Sequence, residues 1–297
     1  MGLTMHLIQL KPMLKHSLQF EAIGTQWSIE TKSQLPEFLE LTIRTRIEAF
    51  DKTYSRFRTD SLVAQVSRNV GIYTFPPDVD VLFSFYEALH MVTKGKVTPL
   101  IGSMLEKAGY DARYSFLPVQ QQRLPVWSEA LHRNGTVLEI KQPITLDVGA
   151  AGKGYLVDIV CVILDDAGIT EYVVDASGDL RHKGRSENKV GLEHPLETGK
   201  VIGVIDVQNK SLCASATNRR QWGEDQHHIY DPDLMQPTKE IVATWVIADT
   251  TMLADGIATS LFFVEPNVLR KEFQYEYARM HANGSIDYSP AFEGKLF

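Results

Sequence analysis

The sequence is poor in cysteine, in long apolar runs and in excess positive charge. Cys161 and Cys213 are its two cysteines, which are too few for a disulfide framework and fit a reducing compartment. Its 30 Lys and Arg residues against 37 Asp and Glu residues give a formal net charge of −7, which disfavours a nucleic-acid partner. No apolar stretch approaches the roughly 20 residues that a membrane-spanning helix needs. These absences favour a soluble acidic protein whose chemistry uses oxygen and nitrogen groups.

The N-terminus carries no pattern typical of a secretory signal peptide, because Lys11, Pro12 and Lys15 interrupt its apolar patches. We therefore expect a cytoplasmic protein without a membrane span. The composition, 44% hydrophobic and 23% charged, is ordinary for a folded chain, and no linker divides it cleanly. We expect residues 1–17 to be an N-terminal segment and residues 18–297 to form a single domain.

Helical patterns dominate the first half of the chain and strand patterns the second half. Apolar residues at helical spacing predict helices over 36–50 and 78–92. The second half contains many short β-branched runs, with further helices predicted over 153–166 and 251–264. This order favours an α+β fold over a regular alternation of strands and helices.

Several strand and turn signals are more specific. Residues 18–30 predict a single strand with a bulge or bend at Gly24-Thr25. Asn283-Gly284 predicts a hairpin closed by a type I′ turn, in which both central residues have positive φ. Residues 144–148 predict a strand, and the weak periodicity of residues 112–125 predicts a loop.

The most informative segment is ITLDVGAAGKGYLVD, residues 144–158, where a predicted strand ends in Asp147 and a glycine-rich turn leads into a helix. The glycines let the backbone approach a ligand closely, the first N–H groups of the helix point outward, and Lys153 adds a positive charge. This combination suits a phosphate group. The spacing matches neither the P-loop nor the dinucleotide fingerprint. A plain strand-to-helix connection with a solvated lysine is the alternative.

Two other segments carry groups suited to chemistry. Asp255 and Thr259 lie four residues apart, so they share one face of a predicted helix and offer the oxygen ligands that Mg²⁺ accepts. The segment QHHIYDP, residues 226–232, places two imidazoles before a turn, where a histidine can transfer protons near neutral pH. A local polar pair and a surface histidine are the respective alternatives.

These three segments, in this order, resemble the ApbE family of FAD:protein FMN transferases. LDVGAAGKGYLVD fits the family's D-x-G-x-x-x-K-G-Y-x-x-D turn at every defined position. Further matches, covering about residues 20–290 in all, are AIGT, FDKTYSRFRTDS, VVDASGDLRHKG, HIYDP and ADGIATSLF. The resemblance implies a T-fold-like α+β architecture, with mixed or antiparallel sheets and packed helices in a single domain.

The resemblance also implies a Mg²⁺-dependent flavin transferase that moves FMN from FAD onto a Thr or Ser hydroxyl of an acceptor flavoprotein and releases AMP. His228 and Asp255 match catalytic positions. The implied metal ligands are Asp255, Thr259 and the backbone carbonyls of Ala150 and Ala258. The positions that match FAD contacts are Ile23, Phe57, Val97, Thr98, Pro99, Asp147, Lys153 and Ile229.

Two other activities remain open. Water in place of the acceptor would make the protein a pyrophosphatase that converts FAD to FMN and AMP, and a non-catalytic flavin-binding protein is the third possibility. The flavin needs an apolar slot, in which Phe57 or Tyr54 could stack on its ring. Departures from the family pattern include Thr98, which stands where the family has an acid, and Ser177, which replaces the first of two paired glycines.

Overall fold

The computed structural model describes residues 8–9, 14–197, 199–223 and 225–297. The predicted N-terminal segment, residues 1–17, lies mostly outside them, and its boundary stays a prediction. The described helices are α1 (Glu37–Tyr54), α2 (Leu62–Val66), α3 (Asp78–Val92), α4 (Gly102–Lys107), α5 (Trp127–Ala130), α6 (Gly152–Asp166), α7 (Thr251–Ser260) and α8 (Pro266–Leu269). A short 3₁₀ helix, Pro99–Ile101, precedes α4.

The described strands form antiparallel pairs, so the α+β fold class is confirmed. They are β1 (Ile8–Gln9), β2 (His16–Ala22), β3 (Thr25–Thr31), β4 (Gly71–Thr74), β5 (Leu131–Asn134), β6 (Val137–Ile140), β7 (Tyr172–Asp175), β8 (Asp179–Lys183), β9 (Lys189–Glu193), β10 (Val201–Asp206), β11 (Ser211–Ala216), β12 (Gln221–Trp222), β13 (Gln226–His227), β14 (Tyr230–Asp231), β15 (Gln236–Pro237), β16 (Ile241–Ala248), β17 (Glu276–His281), β18 (Ile286–Tyr288) and β19 (Lys295–Leu296).

The chain divides into two compact units, each built from separated stretches. The first unit takes its described residues from Met1–Ile47, Ala151–Arg220 and Lys239–Phe297. Its main sheet has the order β18-β17-β16-β11-β8-β7-β3-β2, and a second sheet has the order β1-β9-β10-β19. Helices α6 and α7 pack against each other and against strands of the main sheet. Fully buried side chains such as Trp245 and Leu212 belong to a hydrophobic cluster that takes residues from both sheets.

The second unit comprises Glu48–Ala150 and Gln221–Thr238. It contains the small sheet β4-β6-β5 and the two hairpins β12-β13 and β14-β15, together with α2 to α5. Helix α3 buries Val79, Leu82, Phe83, Tyr86 and Leu89, the apolar stripe that its sequence periodicity predicts. The helix ends where the chain reverses at Gly95, whose φ of +86° favours glycine.

Most predicted helices agree with the structure, and one is shorter than predicted. The helices predicted over 36–50, 78–92 and 153–166 correspond to α1, α3 and α6. The helix predicted over 251–264 ends at Ser260. The residue before a proline is restricted to extended backbone, and Glu265, before Pro266, has ψ of 142°. The chain therefore leaves helical geometry before it reaches Pro266.

Both predictions of turn geometry need correction. Residues 18–30 form two strands, because Ile23 (φ +47°) and Gly24 (φ +71°) make a two-residue turn that pairs β2 with β3. The hairpin at Asn283-Gly284 is confirmed, but the type I′ turn is wrong. Gly284 has a φ of +84° whereas Asn283 does not have positive φ, and the Asn283 side chain instead accepts a hydrogen bond from the backbone N–H of Ser285.

The strand predicted at residues 144–148 is wrong as well. The segment is extended and buries Ile144 and Leu146, but it joins no strand ladder. The N–H of Asp147 donates instead to the carbonyl of Pro99, at 2.8 Å. The alternation that predicted a strand therefore reflects burial beside the 3₁₀ helix. The loop predicted over 112–125 is confirmed, since these residues lie in no helix or strand.

Two expectations from composition can also be compared with the structure. Cys161 and Cys213 are both free and buried. Within the described part of the chain, no helix has the length and apolar character needed to cross a membrane. The cytoplasmic location stays a prediction.

Candidate active site

In the first unit, the glycine-rich turn brings α6 and α7 into close contact. A side chain at Gly154 would collide with the backbone carbonyl of Thr251 and would lie 2.7 Å from Cβ of Asp255. The absence of a side chain lets the N–H of Gly154 donate to Oδ2 of Asp255, at 2.9 Å. The glycine at this position therefore positions the buried carboxylate of α7 against the first turn of α6.

Asp158, the last residue of the family turn, fixes the same pair of helices. Its two carboxylate oxygens accept hydrogen bonds from the backbone N–H groups of Thr251 and Met252, each at 2.8 Å. These N–H groups belong to the first turn of α7 and have no partner within the helix. Asp158 thus caps α7 from α6, which gives the motif's final aspartate a structural role.

The charged centre of the first unit consists of Lys153, Asp179 and Asp255. The ammonium of Lys153 forms an ion pair with Oδ2 of Asp179. Asp179 is buried, with 1% of its surface exposed. Burial lowers the pKa of Lys153, but the nearby carboxylates of Asp179 and Asp255 outweigh burial and raise it above its ordinary value. Lys153 was predicted to contact FAD, and in this structure its charge is directed at Asp179.

Asp255 is the residue with the most strongly perturbed environment in this centre. Burial raises its pKa well above the ordinary value, and the Asp179 carboxylate raises it further, while Lys153 offsets only part of the effect. Two buried carboxylates thus share one ammonium group. The ionised centre carries one negative charge in excess, which a bound cation would neutralise.

The donor set around Asp255 fits a hard cation such as Mg²⁺. Thr259 lies one helical turn beyond Asp255 and is half-buried, so its hydroxyl and the carboxylate present oxygen ligands on one face of α7. Among the described residues, no group of three or more His, Cys, Asp or Glu side chains is placed to hold a metal. A cation here would need backbone, water or substrate oxygens as well. The carbonyl of Ala258 already accepts a hydrogen bond from Thr244, at 2.8 Å.

In the second unit, Asp147 is held by Arg56. Nε of Arg56 donates to Oδ2 of Asp147 at 2.6 Å, and the backbone N–H of Gly149 donates to Oδ1 at 2.7 Å. The Arg56 side chain is 3% exposed, and its Nη1 also donates to the carbonyl of Tyr110, at 2.8 Å. Asp147 therefore has a fixed orientation at the end of the segment that leads into Ala150.

The predicted FAD contacts Val97, Thr98 and Pro99 lie beside Asp147 in the same unit. All three are buried, and Oγ1 of Thr98 caps the 3₁₀ helix by accepting from the N–H of Leu100. The hydrogen bond between Asp147 and Pro99 joins this segment to the glycine-rich turn. The structure thus brings together four of the predicted positions, within the second unit.

The hairpin β14-β15, which directly follows His228 and Ile229, is tied to the same segment by Lys96. Nζ of Lys96 lies 2.7 Å from Oδ1 of Asp231 and 2.8 Å from Oδ2 of Asp233. These contacts connect the residues before Val97 to the loop after Ile229. Lys96 was not among the predicted site residues, although it directly precedes them in the sequence.

The two adjacent histidines have different environments. His227 is buried, its Nε2 lies 2.9 Å from the carbonyl of Thr238, and its Nδ1 accepts from the N–H of Ile229. Burial lowers the pKa of His227, so it is neutral near pH 7 and supports the hairpin. His228 is half-buried, and Ile229 is 3% exposed. Of the pair, His228 is the more accessible candidate for proton transfer.

Tyr54 and Phe57, the two candidates for stacking on the flavin, differ in burial and in their neighbours. Tyr54 is 3% exposed and packs against Phe50 and Phe75, so it presents no free face to a flavin. Phe57 is half-buried, with the guanidinium of Arg56 at 4.2 Å from its ring centroid. The exposed ring of Tyr114 stacks parallel to Phe57 at a centroid distance of 5.4 Å. A ligand that stacks on Phe57 would take the place of Tyr114.

Ile23, Ser177 and Asn209 are non-glycine residues of the first unit that have positive φ, and the first two lie in segments that carry the resemblance. Ile23, a predicted FAD contact, occupies the turn between β2 and β3. Ser177 has a φ of +55° between β7 and β8, and its hydroxyl donates to the carbonyl of Gln26 at 2.7 Å. A β-branched residue in this region of φ is costly, so the structure around Ile23 stores strain.

Arg56, Lys96 and Asp179 are among the charged residues of these sites that the sequence did not single out. Arg56 directly precedes Phe57 in the segment FDKTYSRFRTDS, and Asp179 ends the segment VVDASGD. Both segments carried the resemblance, but their charged residues gave no sign of their partners because the ion pairs join positions far apart in sequence.

Comparison with known proteins identifies the family of this chain. The profile of the ApbE family matches residues 23–281. Two relatives named FAD:protein FMN transferase are similar to this chain: that of Vibrio cholerae is 25% identical and covers 84% of this chain and 82% of its own. That of Haemophilus influenzae is 26% identical and covers 70% of this chain and 67% of its own.

Solved structures show the same fold. The ApbE protein of Thermotoga maritima superimposes with a TM-score of 0.82 at 20% identity and covers 94% of this chain and 98% of its own. The flavin transferase ApbE of Vibrio cholerae gives a TM-score of 0.79, also at 20% identity, with the same coverage. Because the family profile spans most of the sequence, the chain belongs to the ApbE family.

Proposed function

We propose that this protein is a Mg²⁺-dependent FAD:protein FMN transferase, which moves FMN from FAD onto a Thr or Ser hydroxyl of an acceptor protein and releases AMP. The names of its relatives support the transferase reaction and FAD as the substrate. The acceptor hydroxyl and the release of AMP are what the resemblance to the ApbE family implies, and the requirement for Mg²⁺ is supported by the charges around Asp255.

The observation that carries the proposal is the buried excess of negative charge at Asp179 and Asp255. Lys153 compensates one of the two carboxylates, and Thr259 adds a hydroxyl oxygen one turn away on α7. We propose that Asp255 and Thr259 hold Mg²⁺, and that the backbone carbonyls of Ala150 and Ala258 are further ligands. Bound Mg²⁺ would neutralise the negative charge of the FAD pyrophosphate.

In the proposed transfer, the acceptor hydroxyl oxygen attacks the phosphorus of the FMN half. The bond between that phosphorus and the bridging oxygen breaks, and AMP leaves with the electron pair. His228 takes the proton from the attacking hydroxyl, since it is only half-buried and a ring nitrogen of histidine can accept a proton. Arg56 orients Asp147, and Phe57 offers its ring to the flavin once Tyr114 moves aside.

The reaction can be tested by incubating the protein with FAD and MgCl₂, with and without a candidate acceptor protein. Mass spectrometry would measure AMP and FMN, and flavin fluorescence in a denaturing gel would measure flavin bound covalently to the acceptor. We expect acceptor-dependent gel fluorescence with one AMP released per flavin transferred. AMP release at the same rate with and without the acceptor would instead indicate a pyrophosphatase. Binding of FAD with no formation of AMP would indicate a non-catalytic flavin-binding protein.

The metal assignment has a matched control. Asp255→Asn removes the buried carboxylate, while Asp249→Asn removes an exposed one, 73% accessible, just before α7. We expect Asp255→Asn to lose both the Mg²⁺-dependent turnover and any rise in melting temperature on adding MgCl₂. Asp249→Asn should keep both. Equal responses to Mg²⁺ in the two variants would contradict the assignment.

A further inference from the structure

A surface cavity of about 1040 Å³ lies in the first unit, at one end of its main sheet. Its wall includes Lys15 just before β2, Lys32 just after β3, Glu171 just before β7, Lys183 at the end of β8, and Arg185 beyond it. The cavity is therefore built on the ends of neighbouring strands, which fix the positions of its charges.

The cavity is strongly basic in a chain that is acidic as a whole. Four of the residues that line it are Lys or Arg and one is Glu, whereas the complete chain has a formal net charge of −7. Lys32 pairs with Glu171 at 2.7 Å, and Lys183 pairs with Asp165 at 2.8 Å. Lys15 and Arg185 are exposed, and neither forms an ion pair with any residue that the structure describes. Two positive charges thus face the cavity without compensation.

The size and the wall of the cavity indicate what it binds. Sites for drug-sized molecules are mostly apolar, whereas this wall is rich in charged and polar side chains. One phosphate group would occupy a small part of the volume. Several cations spread over a wide, open surface complement a row of carboxylates better than a single anion.

We propose that this cavity, formed by Lys15, Lys32, Lys183 and Arg185, docks an acidic segment of the acceptor protein. The proposal rests on the proposed function, which supplies an acceptor. Strand β8 begins at Asp179, the partner of Lys153, and ends at Lys183 in the cavity wall. Four residues of extended strand span about 13 Å. The acidic residues of the acceptor therefore lie about four to six positions from the hydroxyl that receives FMN.

A labelled peptide tests the cavity without knowledge of the acceptor. Fluorescence anisotropy would measure binding of a fluorescein-labelled octaglutamate peptide to the full-length protein at 50 and 300 mM NaCl. The variant K15E/R185E reverses the two uncompensated charges. The control K141E/K271E reverses two exposed lysines outside the cavity and changes the net charge equally.

We expect the peptide to bind wild type and control within about twofold of each other, and K15E/R185E at least about tenfold more weakly. The added salt should weaken wild-type binding about fivefold or more, because it screens exposed charges. Equal binding to K15E/R185E and the control would overturn the proposal. So would displacement of the peptide by 10 mM inorganic phosphate or preferential binding of a uridine oligonucleotide.

The test separates this proposal from the transferase activity. Binding of FAD in the presence of MgCl₂, measured by flavin fluorescence, does not involve the cavity, so K15E/R185E should keep the wild-type affinity for FAD. No FAD binding by wild type that still binds the peptide would contradict the proposed function alone. Normal FAD binding without peptide binding would contradict the docking surface alone.

Discussion

Replacing Gly154 by alanine tests whether the close approach of α6 and α7 positions Asp255. The new Cβ would lie 2.7 Å from Cβ of Asp255 and still closer to the carbonyl of Thr251, where ordinary contacts begin near 3.4 Å. Overpacking costs about 1–3 kcal/mol in most cases, and we expect about 3–5 kcal/mol here because the colliding Thr251 carbonyl belongs to the backbone and cannot rotate away. Alanine recovers about 1 kcal/mol of helix propensity. We expect a net loss of about 2–4 kcal/mol.

A loss of this size lowers the melting temperature by about 5–12 °C in a chain of this length. Differential scanning calorimetry would measure it, with Val162→Ala as the control, because Val162 lies on the exposed face of the same helix. The control should melt within about 1 °C of wild type. We also expect Gly154→Ala to lose stabilisation by MgCl₂, because its N–H no longer holds Asp255. A melting temperature equal to that of wild type would refute the packing argument.

Three further predictions concern strain, pH and a buried ion pair. Ile23→Asn should raise the melting temperature by about 2–4 °C, because Asn tolerates positive φ. The same substitution should weaken FAD binding measured by fluorescence. An unchanged melting temperature would argue against strain at Ile23. Burial lowers the pKa of His182 and His227, so the unfolded chain binds more protons below the ordinary pKa of 6.5. The contribution of these two histidines to the free energy of unfolding is therefore fully present above that pH. We expect the melting temperature to fall from pH 7 to pH 5.5, and a melting temperature that does not change over this range would contradict the prediction. Arg56→Met leaves Asp147 without its cation and should cost about 3 kcal/mol and weaken FAD binding in titrations, whereas wild-type values for both would exclude the role of Arg56.

The sequence predicted well those features that depend on neighbouring residues. The apolar stripe of α3 and the stop at Gly95 follow from local spacing and from the conformational freedom of glycine. The segment at 144–148 shows the limit of such patterns. Alternating burial there arises against a 3₁₀ helix that lies more than forty positions earlier, so a pattern of alternation could not reveal that the partner is not a strand.

The candidate sites were predictable in their motifs but not in their charge pairing. Lys153 and Asp255 stood out because each lies in a segment of recognisable pattern. That Lys153 pairs with Asp179, and Asp147 with Arg56, depends on contacts between distant stretches of chain. The geometry of short turns was also beyond reach, since the turn type at Ile23 follows from the pairing of β2 with β3 rather than from the residue itself.

The position of the β2-β3 hairpin has a consequence for synthesis of the chain on the ribosome. Strand β3 pairs on its far edge with β7, which begins at Tyr172, about 140 residues later. At a synthesis rate of about 5–20 residues per second, the ribosome completes β7 roughly 7–28 s after β3, and this edge of β3 stays unpaired during that time. Trp27 and Ile29, both buried in the finished protein, lack their final neighbours during this interval. The nascent hairpin therefore exposes apolar side chains that a chaperone would cover before the sheet is complete.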